Sequence, residues 1–410
     1  MKNTSLGYHT FSQNLKMNSL DFSIVEGDFI RYADNHKKDI SRYPIEYRGV
    51  IFGWKYVYSN DKGIQWRLCH SQSKNGYEAY GVTAIINPKV LIENNYIHAA
   101  QADDLTLVKK IFNKRKREIS EHLPGFEYWY INRADYCLNI DTEELGLPCT
   151  AEQLMKLVKR ANIPKHLKER KIYDDISHRQ KSDPNSFYLQ SKSVTINYYR
   201  KYSQQSEKHP NYANRGASFN VIRFEVQCMY PKLYAILKKH NPQNIDSLHD
   251  SDESLDMYDD FIATGFLPPT LKPDFILSDA ISLEILENYI YKIIRKGDYF
   301  TFEGAIDIIK SYNFRLDKEK RLIYALEVIS DARGIAAAKE KLPYVELDDF
   351  KRSLNDLDEI LVNPVTIPRK WGIKHIANPF RAYYDTFYEQ LITKNEHTAL
   401  QHIYRYLSDI

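Results

Sequence analysis

Residues 129–141, Trp-Tyr-Ile-Asn-Arg-Ala-Asp-Tyr-Cys-Leu-Asn-Ile-Asp, alternate apolar and polar positions with period two. That is the pattern of a half-buried β-strand. Ala134, Leu138 and Ile140 fall on one face, and Arg133, Asp135, Cys137, Asn139 and Asp141 on the other. Residues 221–228 repeat the pattern, with Ile222, Phe224, Val226 and Cys228 opposite Arg223, Glu225 and Gln227. In residues 194–201, Val194, Ile196 and Tyr198 stand opposite Thr195, Asn197, Tyr199 and Lys201. If the three strands share a sheet, Asp135, Glu225 and Tyr199 meet on its polar side. That side is then either part of an active site or a solvated sheet face.

Elsewhere the pattern is coarser. Residues 1–45 read as a polar lead-in. Strands are expected at 46–60 and 63–72, split by the turn signal Ser59-Asn60-Asp61-Lys62-Gly63. A further strand at 81–88 stops at Asn87-Pro88, where proline cannot continue a ladder. Helices are expected at 103–122 and 151–171, a loop at 172–186, a strand pair at 186–202 and a link at 203–217. Residues 246–260 are acidic and low in complexity, a solvated linker lacking EF-hand spacing. From about 275 apolar stripes at helical spacing take over, as in Ala305-Ile306-Asp307-Ile308-Ile309 and around Tyr383, Phe387, Tyr388 and Leu391. Gly334 lies between two such stretches and fits a helical hairpin better than a helix-turn-helix. The expected fold class is α+β, an antiparallel-sheet domain at 46–245 followed by a mainly helical domain at 275–410. An acidic linker at 246–274 joins the two.

Charge sharpens this division. The formal net charge is only +3, but residues 1–245 hold 37 Lys+Arg against 25 Asp+Glu, and residues 246–410 hold 20 against 29. A basic half suits a polyanion, most commonly nucleic acid. The basic run Lys109, Lys110, Lys114, Arg115, Lys116, Arg117 on the helix at 103–122 is the candidate DNA-binding surface. No apolar h-region follows Met1, and no run of about 18 apolar residues suggests a membrane span. Cys69, Cys137, Cys149 and Cys228 are scattered without a CxxC pair, which fits a reducing cytoplasm and argues against a zinc site.

Absent motifs narrow the chemistry. There is no GxxxxGK[ST], GxGxxG, GxSxG or HExxH, so Walker-type, dinucleotide, serine-elbow and zincin chemistry have no signature here. The thirteen histidines are dispersed, with His70 the best placed of them on an expected strand. What remains is oxygen chemistry. Carboxylates suit hard cations such as Mg²⁺ or Mn²⁺, and a tyrosine hydroxyl beside such a cation can act as a covalent nucleophile. Parity puts Tyr199 on the polar face and Tyr198 on the apolar one. Tyr202, just past the strand, is the reserve choice, because a bulge would reverse parity.

Four blocks in order carry a resemblance. Asn87-Pro88-Lys89-Val90-Leu91 is similar to an Asn-Pro-x-x-Leu block, and residues 133–141 to an Arg-x-Asp-x-x-x-(Asn/Asp)-x-Asp strand. Residues 196–201 look like a strand ending in Tyr-Asp-Lys, and Arg223-Phe224-Glu225 like an Arg-Phe-Glu strand. Together, over residues 86–226, the chain resembles rolling-circle replication initiators of the filamentous-phage type and the plasmid-initiator/transposon-relaxase group. The resemblance implies nicking of one DNA strand at an origin through a 5′-phosphotyrosine link. Tyr199 would be the nucleophile and Asp135, Glu225 and Asp141 the ligands of Mg²⁺ or Mn²⁺. Arg133, Arg223 and Lys201 would contact phosphate. The implied partners are double-stranded origin DNA, single-stranded DNA and a host helicase, with no membrane. The chain departs from the pattern in two places: it has no His-hydrophobe-His motif, and Arg200 stands where the block has Asp. The competing readings are an origin- or single-strand-binding protein that does not cut, and a structural α+β protein with solvated strand faces.

Overall fold

The structure is a computed structural model that describes residues 3–37, 40–47, 50–60, 63–72, 76, 78–170, 172–173, 180–181, 183–240 and 273–386. The acidic stretch at 246–260 and the stripe residues Phe387, Tyr388 and Leu391 lie outside the described residues. In chain order the strands of the first half are β1 (Ser5–Met17), β2 (Ile40–Tyr47), β3 (Val50–Asn60), β4 (Ile64–Gln72), β5 (Glu78–Ile86) and β6 (Tyr130–Asp141). They continue with β7 (Lys168–Glu169), β8 (Ile172–Tyr173), β9 (Gln180–Lys181), β10 (Ser186–Gln190), β11 (Val194–Arg200) and β12 (Val221–Met229). Ten of them make one antiparallel sheet in the order β2-β3-β4-β5-β1-β6-β12-β11-β10-β7. The strands that carry the patterned polar residues, β6, β12 and β11, are consecutive in that order. The fold is α+β, with a helical C-terminal region.

The chain divides into two compact units. One comprises Leu6–Tyr136 and Gln227–Ser282. Its core is aromatic: Phe112 meets Trp66, Trp129 and Phe126 at ring-centroid distances of 5.3, 5.4 and 5.2 Å. The pairs with Trp129 and Phe126 are edge-to-face and that with Trp66 is tilted, and such ring pairs add to the area each ring buries. Residues 1–45, expected as a polar lead-in, supply β1 and the helix α1 (Ser19–Asn35) to this core. Asn18 caps α1 by accepting from the Asp21 N–H, and Phe22, Val25, Phe29 and Ala33 form its buried stripe. The Asn87-Pro88 stop is also a start: Asn87 caps α2 (Pro88–Glu93), with proline in the first turn, where its missing N–H costs nothing. The basic helix is α3 (Asp104–Ile119), which buries Leu105, Val108, Phe112 and Ile119.

The other unit comprises Met1–Ser5, Cys137–Val226 and Leu283–Ile410. Here α4 (Ala151–Val158) is shorter than the helix expected at 151–171. Pro164 disfavours a helical Ile163 before it, and the chain turns at Arg160 and Ala161 instead. The expected link at 203–217 starts with a helix, α5 (Lys201–Lys208). Past α6 (Tyr230–His240) and α7 (Pro273–Ile276), both in the aromatic unit, the chain forms α8 (Asp279–Ile294) and α9 (Phe302–Ser311). It continues through α10 (Leu316–Ala332), α11 (Ile335–Lys341) and α12 (Leu347–Glu359). Ala305 and Ile309 of α9, Leu322 and Leu326 of α10, and Leu357 of α12 share one core cluster. The helical pair flanking Gly334 is α10 and α11.

Phe112→Ala should cost about 3–5 kcal/mol, the usual range for emptying a buried ring site, because Phe112 is fully buried among three aromatic rings. Tyr344→Ala, at a position 89% exposed, should cost almost nothing. Urea unfolding of both variants checks this; equal midpoints would mean that the aromatic cluster does not hold its unit together.

Candidate active site

The β10–β11 register is regular, with Ser186 opposite Tyr199, Phe187 opposite Tyr198 and Tyr188 opposite Asn197. No bulge intervenes, so Tyr198 and Tyr199 keep the faces that parity assigns. Tyr198 is fully buried, its ring 4.8 Å from that of Phe224. Tyr202 lies in α5 and packs on Phe219 at 5.4 Å. The Tyr199 hydroxyl donates to Glu225 Oε2 at 3.1 Å. Tyr199 is only 6% exposed. Burial first, and the Glu225 charge second, push its pKa well above the ordinary tyrosine value.

The polar side of this part of the sheet is not solvated. From Ala134 to Asp141 every residue of β6 is buried, on both faces. Arg223 is fully buried, and its Nε donates to Asn139 Oδ1 at 2.7 Å. Burial alone would lower the Arg223 pKa, but the groups around it, Cys137, Tyr199 and Glu225, hold it above the ordinary value. Glu225 is the carboxylate of that set. Lys201, the first residue of α5, is equally buried, with its Nζ 5.7 Å from the Tyr199 ring centre. Burial, then the Arg223 charge, drive its pKa well below the ordinary lysine value, while Glu225 opposes them. The structure thus gathers Tyr199, Lys201, Arg223 and Glu225, with Asn139 as an additional member.

The other expected site residues have separate engagements. Arg133 grips Asp135 with two hydrogen bonds, Nε to Oδ1 at 2.8 Å and Nη2 to Oδ2 at 2.5 Å. Asp141 accepts from Asn3 Nδ2 at 3.0 Å and from the backbone N–H groups of Glu143 at 3.1 Å and Glu144 at 3.3 Å. That geometry closes the turn after β6. As they stand, the three carboxylates do not fit a divalent ion. Asp135 is held by a guanidinium, Asp141 by amides, and Glu225 has cationic neighbours where a ligand set would need further oxygens. Among the described residues no group of three or more His, Cys, Asp or Glu converges on one point. His70 stacks on Tyr80 at 4.5 Å, its Nε2 3.8 Å from Glu78 Oε1.

The basic helix sorts its cations. Lys109 pairs with Asp274 at 2.6 Å, Arg115 with Glu118 at 2.9 Å, and Lys116 donates to the Leu123 carbonyl. Lys110, Lys114 and Arg117 are exposed, and their i, i+4, i+7 spacing puts them in one stripe. Tyr188 was overlooked in the sequence. It is half-buried on β10, shares the face of its partner Asn197, and has the Arg170 guanidinium 5.2 Å from its ring centre. Its signal was the alternation of Ser186, Tyr188 and Gln190 with Phe187 and Leu189.

No protein-family model matches this chain, and no curated protein matches it. Among solved structures it is similar to a rolling circle replication initiator protein from Geobacillus stearothermophilus. The TM-score is 0.28 and the identity 10%, over 70% of this chain and 96% of that one. It is also similar to the di-domain ARO/CYC StfQ of the steffimycin biosynthetic pathway, with a TM-score of 0.16 and 8% identity over 63% of this chain and 97% of that one. Likenesses at these scores establish neither family nor activity.

The Lys201 site makes a pH prediction. Its folded pKa lies below that of the unfolded chain. Between the two values the unfolded state holds a proton that the folded state lacks, so stability rises with pH. Lys201→Met should flatten that rise. Urea midpoints of wild type and variant at pH 7.5 and 9.5 test it; the same rise in both would mean that Lys201 is not the source.

Proposed function

We propose that this chain nicks one strand of DNA to initiate rolling-circle replication, through attack of a tyrosine hydroxyl on a phosphodiester. The observation that carries this reading is the shared face of β10, β11 and β12. It sets Tyr188 and Tyr199 on neighbouring strands, with Glu225 accepting one tyrosine hydroxyl. The excess of cations in residues 1–245 suits the polyanion that such a site would act on.

In the step itself the tyrosine oxygen forms a bond to phosphorus and the bond from phosphorus to the 3′ oxygen breaks. The phenolic proton passes to a base and the 3′ oxygen leaves as a hydroxyl after taking up a proton. The 5′ phosphate remains on tyrosine. Arg223 and Lys201 lie too deep to touch a phosphate, and they interact with Glu225 instead. Arg170, exposed and with its guanidinium 5.2 Å from the Tyr188 ring centre, is a cation placed to reach one. No step is routed through a metal, because the carboxylates are otherwise engaged. Origin duplex and single-stranded DNA are the partners of this reading.

Two tyrosines compete for the nucleophile's role. Exposure favours Tyr188, since an attacking oxygen must meet its phosphate. The hydrogen bond to Glu225 favours Tyr199, since a base within reach assists ionisation. We assign the attack to Tyr188 and the positioning of Glu225 to Tyr199. On denaturing gels with labelled origin DNA in buffer containing Mg²⁺ or Mn²⁺, Tyr188→Phe should lose the covalent adduct and Tyr199→Phe should retain a reduced amount. The reverse result moves the attack to Tyr199. No adduct from wild type leaves DNA binding without cutting as the function.

The exposed stripe of α3 gives a separate prediction. Charge reversal of Lys110, Lys114 and Arg117 together should weaken DNA binding across sequences alike. It should also reduce the slope of log K against log salt by roughly 0.9 per lost phosphate contact on duplex. Reversal of Lys109, Arg115 and Lys116, which are engaged within the protein, should change that slope less. Equal slopes for wild type and the stripe variant would show that α3 is only a solvated face.

A further inference from the structure

A pocket of about 420 Å³ opens in the unit that contains α4. Its ionisable lining is Lys156, Lys159, Arg160 and Lys370, all cationic. Trp371, Pro184 and Pro368 supply flat apolar walls. The volume falls within the range of small-ligand sites. Four cations without a lining carboxylate form an anion site, and an indole beside them is a surface on which a base can stack.

The cations are held, not merely crowded. Lys156 Nζ contacts Glu152 Oε1 at 2.6 Å, and Lys159 donates to the Asp183 carbonyl. Arg160 is half-buried, and burial together with the neighbouring Arg333 pushes its pKa down. Among the described residues no ion pair engages Arg160 or Lys370. An arriving anion would therefore offset a repulsion that the protein leaves in place. Trp371 ends a short turn, Arg369–Trp371, closed by Gly372 at φ 69° in the left-handed region that glycine adopts without strain. An ion pair from Arg369 to Glu303 ties this turn to the first turn of α9.

The pocket adjoins the β10–β11 pair. Asp183, whose carbonyl Lys159 holds, accepts from the Asn185 N–H at 2.8 Å and from Ser186 Oγ. Asn185 in turn receives Arg200 Nη1 at 2.9 Å. Ser186 stands opposite Tyr199 and two residues before Tyr188. We propose that the pocket receives one nucleotide of a single-stranded DNA, its base on Trp371 and its phosphate among Lys159, Arg160 and Lys370. The strand then runs on towards β10. The choice of DNA as polymer rests on the nicking reading; the pocket chemistry does not.

Binding of a fluorescein-labelled oligo-dT to the full chain, read by anisotropy, tests this apart from nicking. Trp371→Ala should weaken binding roughly 5- to 150-fold, the range for losing one base stack of about 1–3 kcal/mol. Trp371→Phe should restore most of it, which a merely misfolded variant would not do. Lys370→Gln, at an exposed position, should reduce the slope of log K against log salt by roughly 0.7. Unchanged binding in Trp371→Ala overturns the proposal. So does dTMP binding as tightly as the oligomer, which would make this a free-nucleotide site, and so does a duplex showing the same dependence on Trp371. A chain that binds oligo-dT through Trp371 yet forms no adduct rejects the nicking reading and keeps the pocket.

Discussion

Taking a charged group out of water costs several kcal/mol per ion unless partners and hydrogen bonds offset it. This protein buries two basic side chains in one cluster, Arg223 and Lys201, with Glu225 as a neighbouring carboxylate, and there burial and the Arg223 charge push the Lys201 pKa well down. Such clusters are seldom a source of net stability, because apolar residues of the same volume often do as well. What the cluster fixes is register. Asn139 on β6 meets Arg223 on β12, Tyr199 on β11 meets Glu225 on β12, and Lys201 opens α5 directly after β11. A slip of one residue in any of these strands would turn its polar member to the opposite face and leave a buried charge without its neighbour. The order of the strands and the faces of their side chains follow from that constraint.

The same constraint marks where the sequence was legible. Period-two alternation located β6, β11 and β12, assigned their faces and placed Tyr198 in the apolar core, since alternation records which side each residue takes. It does not record what covers the polar side. Asp135, Asn139, Asp141, Lys201 and Arg223 therefore read as exposed or half-exposed, and all are buried. Helix ends were the weaker part, because one local residue decides them: Pro164 shortened α4, and Asn87-Pro88 opened a helix as well as ending a strand. Residues 1–45 were under-read since β1 is polar in composition, and Ser12, Gln13 and Asn14 are buried in it. Tyr188 was hidden among 32 tyrosines on a strand of five residues.

A count of cations suits an anionic partner but singles out no surface. In α3, four of six basic residues have partners within the protein: Lys109 has Asp274, Arg115 has Glu118, Lys116 has the Leu123 carbonyl and Arg117 has the Asn113 carbonyl. The exposed Lys110, Lys114 and Arg117 form a stripe opposite the buried face. The four cations of the Trp371 pocket were unremarkable as sequence, because they come from segments about 200 residues apart that only the fold brings together. Partner groups within the protein decide which cations remain available to a phosphate.

Burial bears on catalysis through the same balance. A tyrosine oxygen attacks as the phenolate, and the interior opposes that charge at Tyr199 even though a carboxylate accepts the hydrogen bond from its hydroxyl. The Glu225 charge makes the opposition stronger, because the phenolate would form beside an anion. Arg223 counters this only in part. A buried tyrosine in this setting serves better to orient Glu225 than to attack. Under the nicking proposal the attacking group is then a tyrosine on the same face, close to solvent and to a guanidinium, which is where Tyr188 and Arg170 lie. From the Trp371 pocket, the path through Lys159, Asp183 and Asn185 reaches the strand end at Ser186, two residues from that tyrosine. A single strand bound there would have its next phosphates over β10, so the accessible tyrosine and the anion pocket call for the same direction of travel.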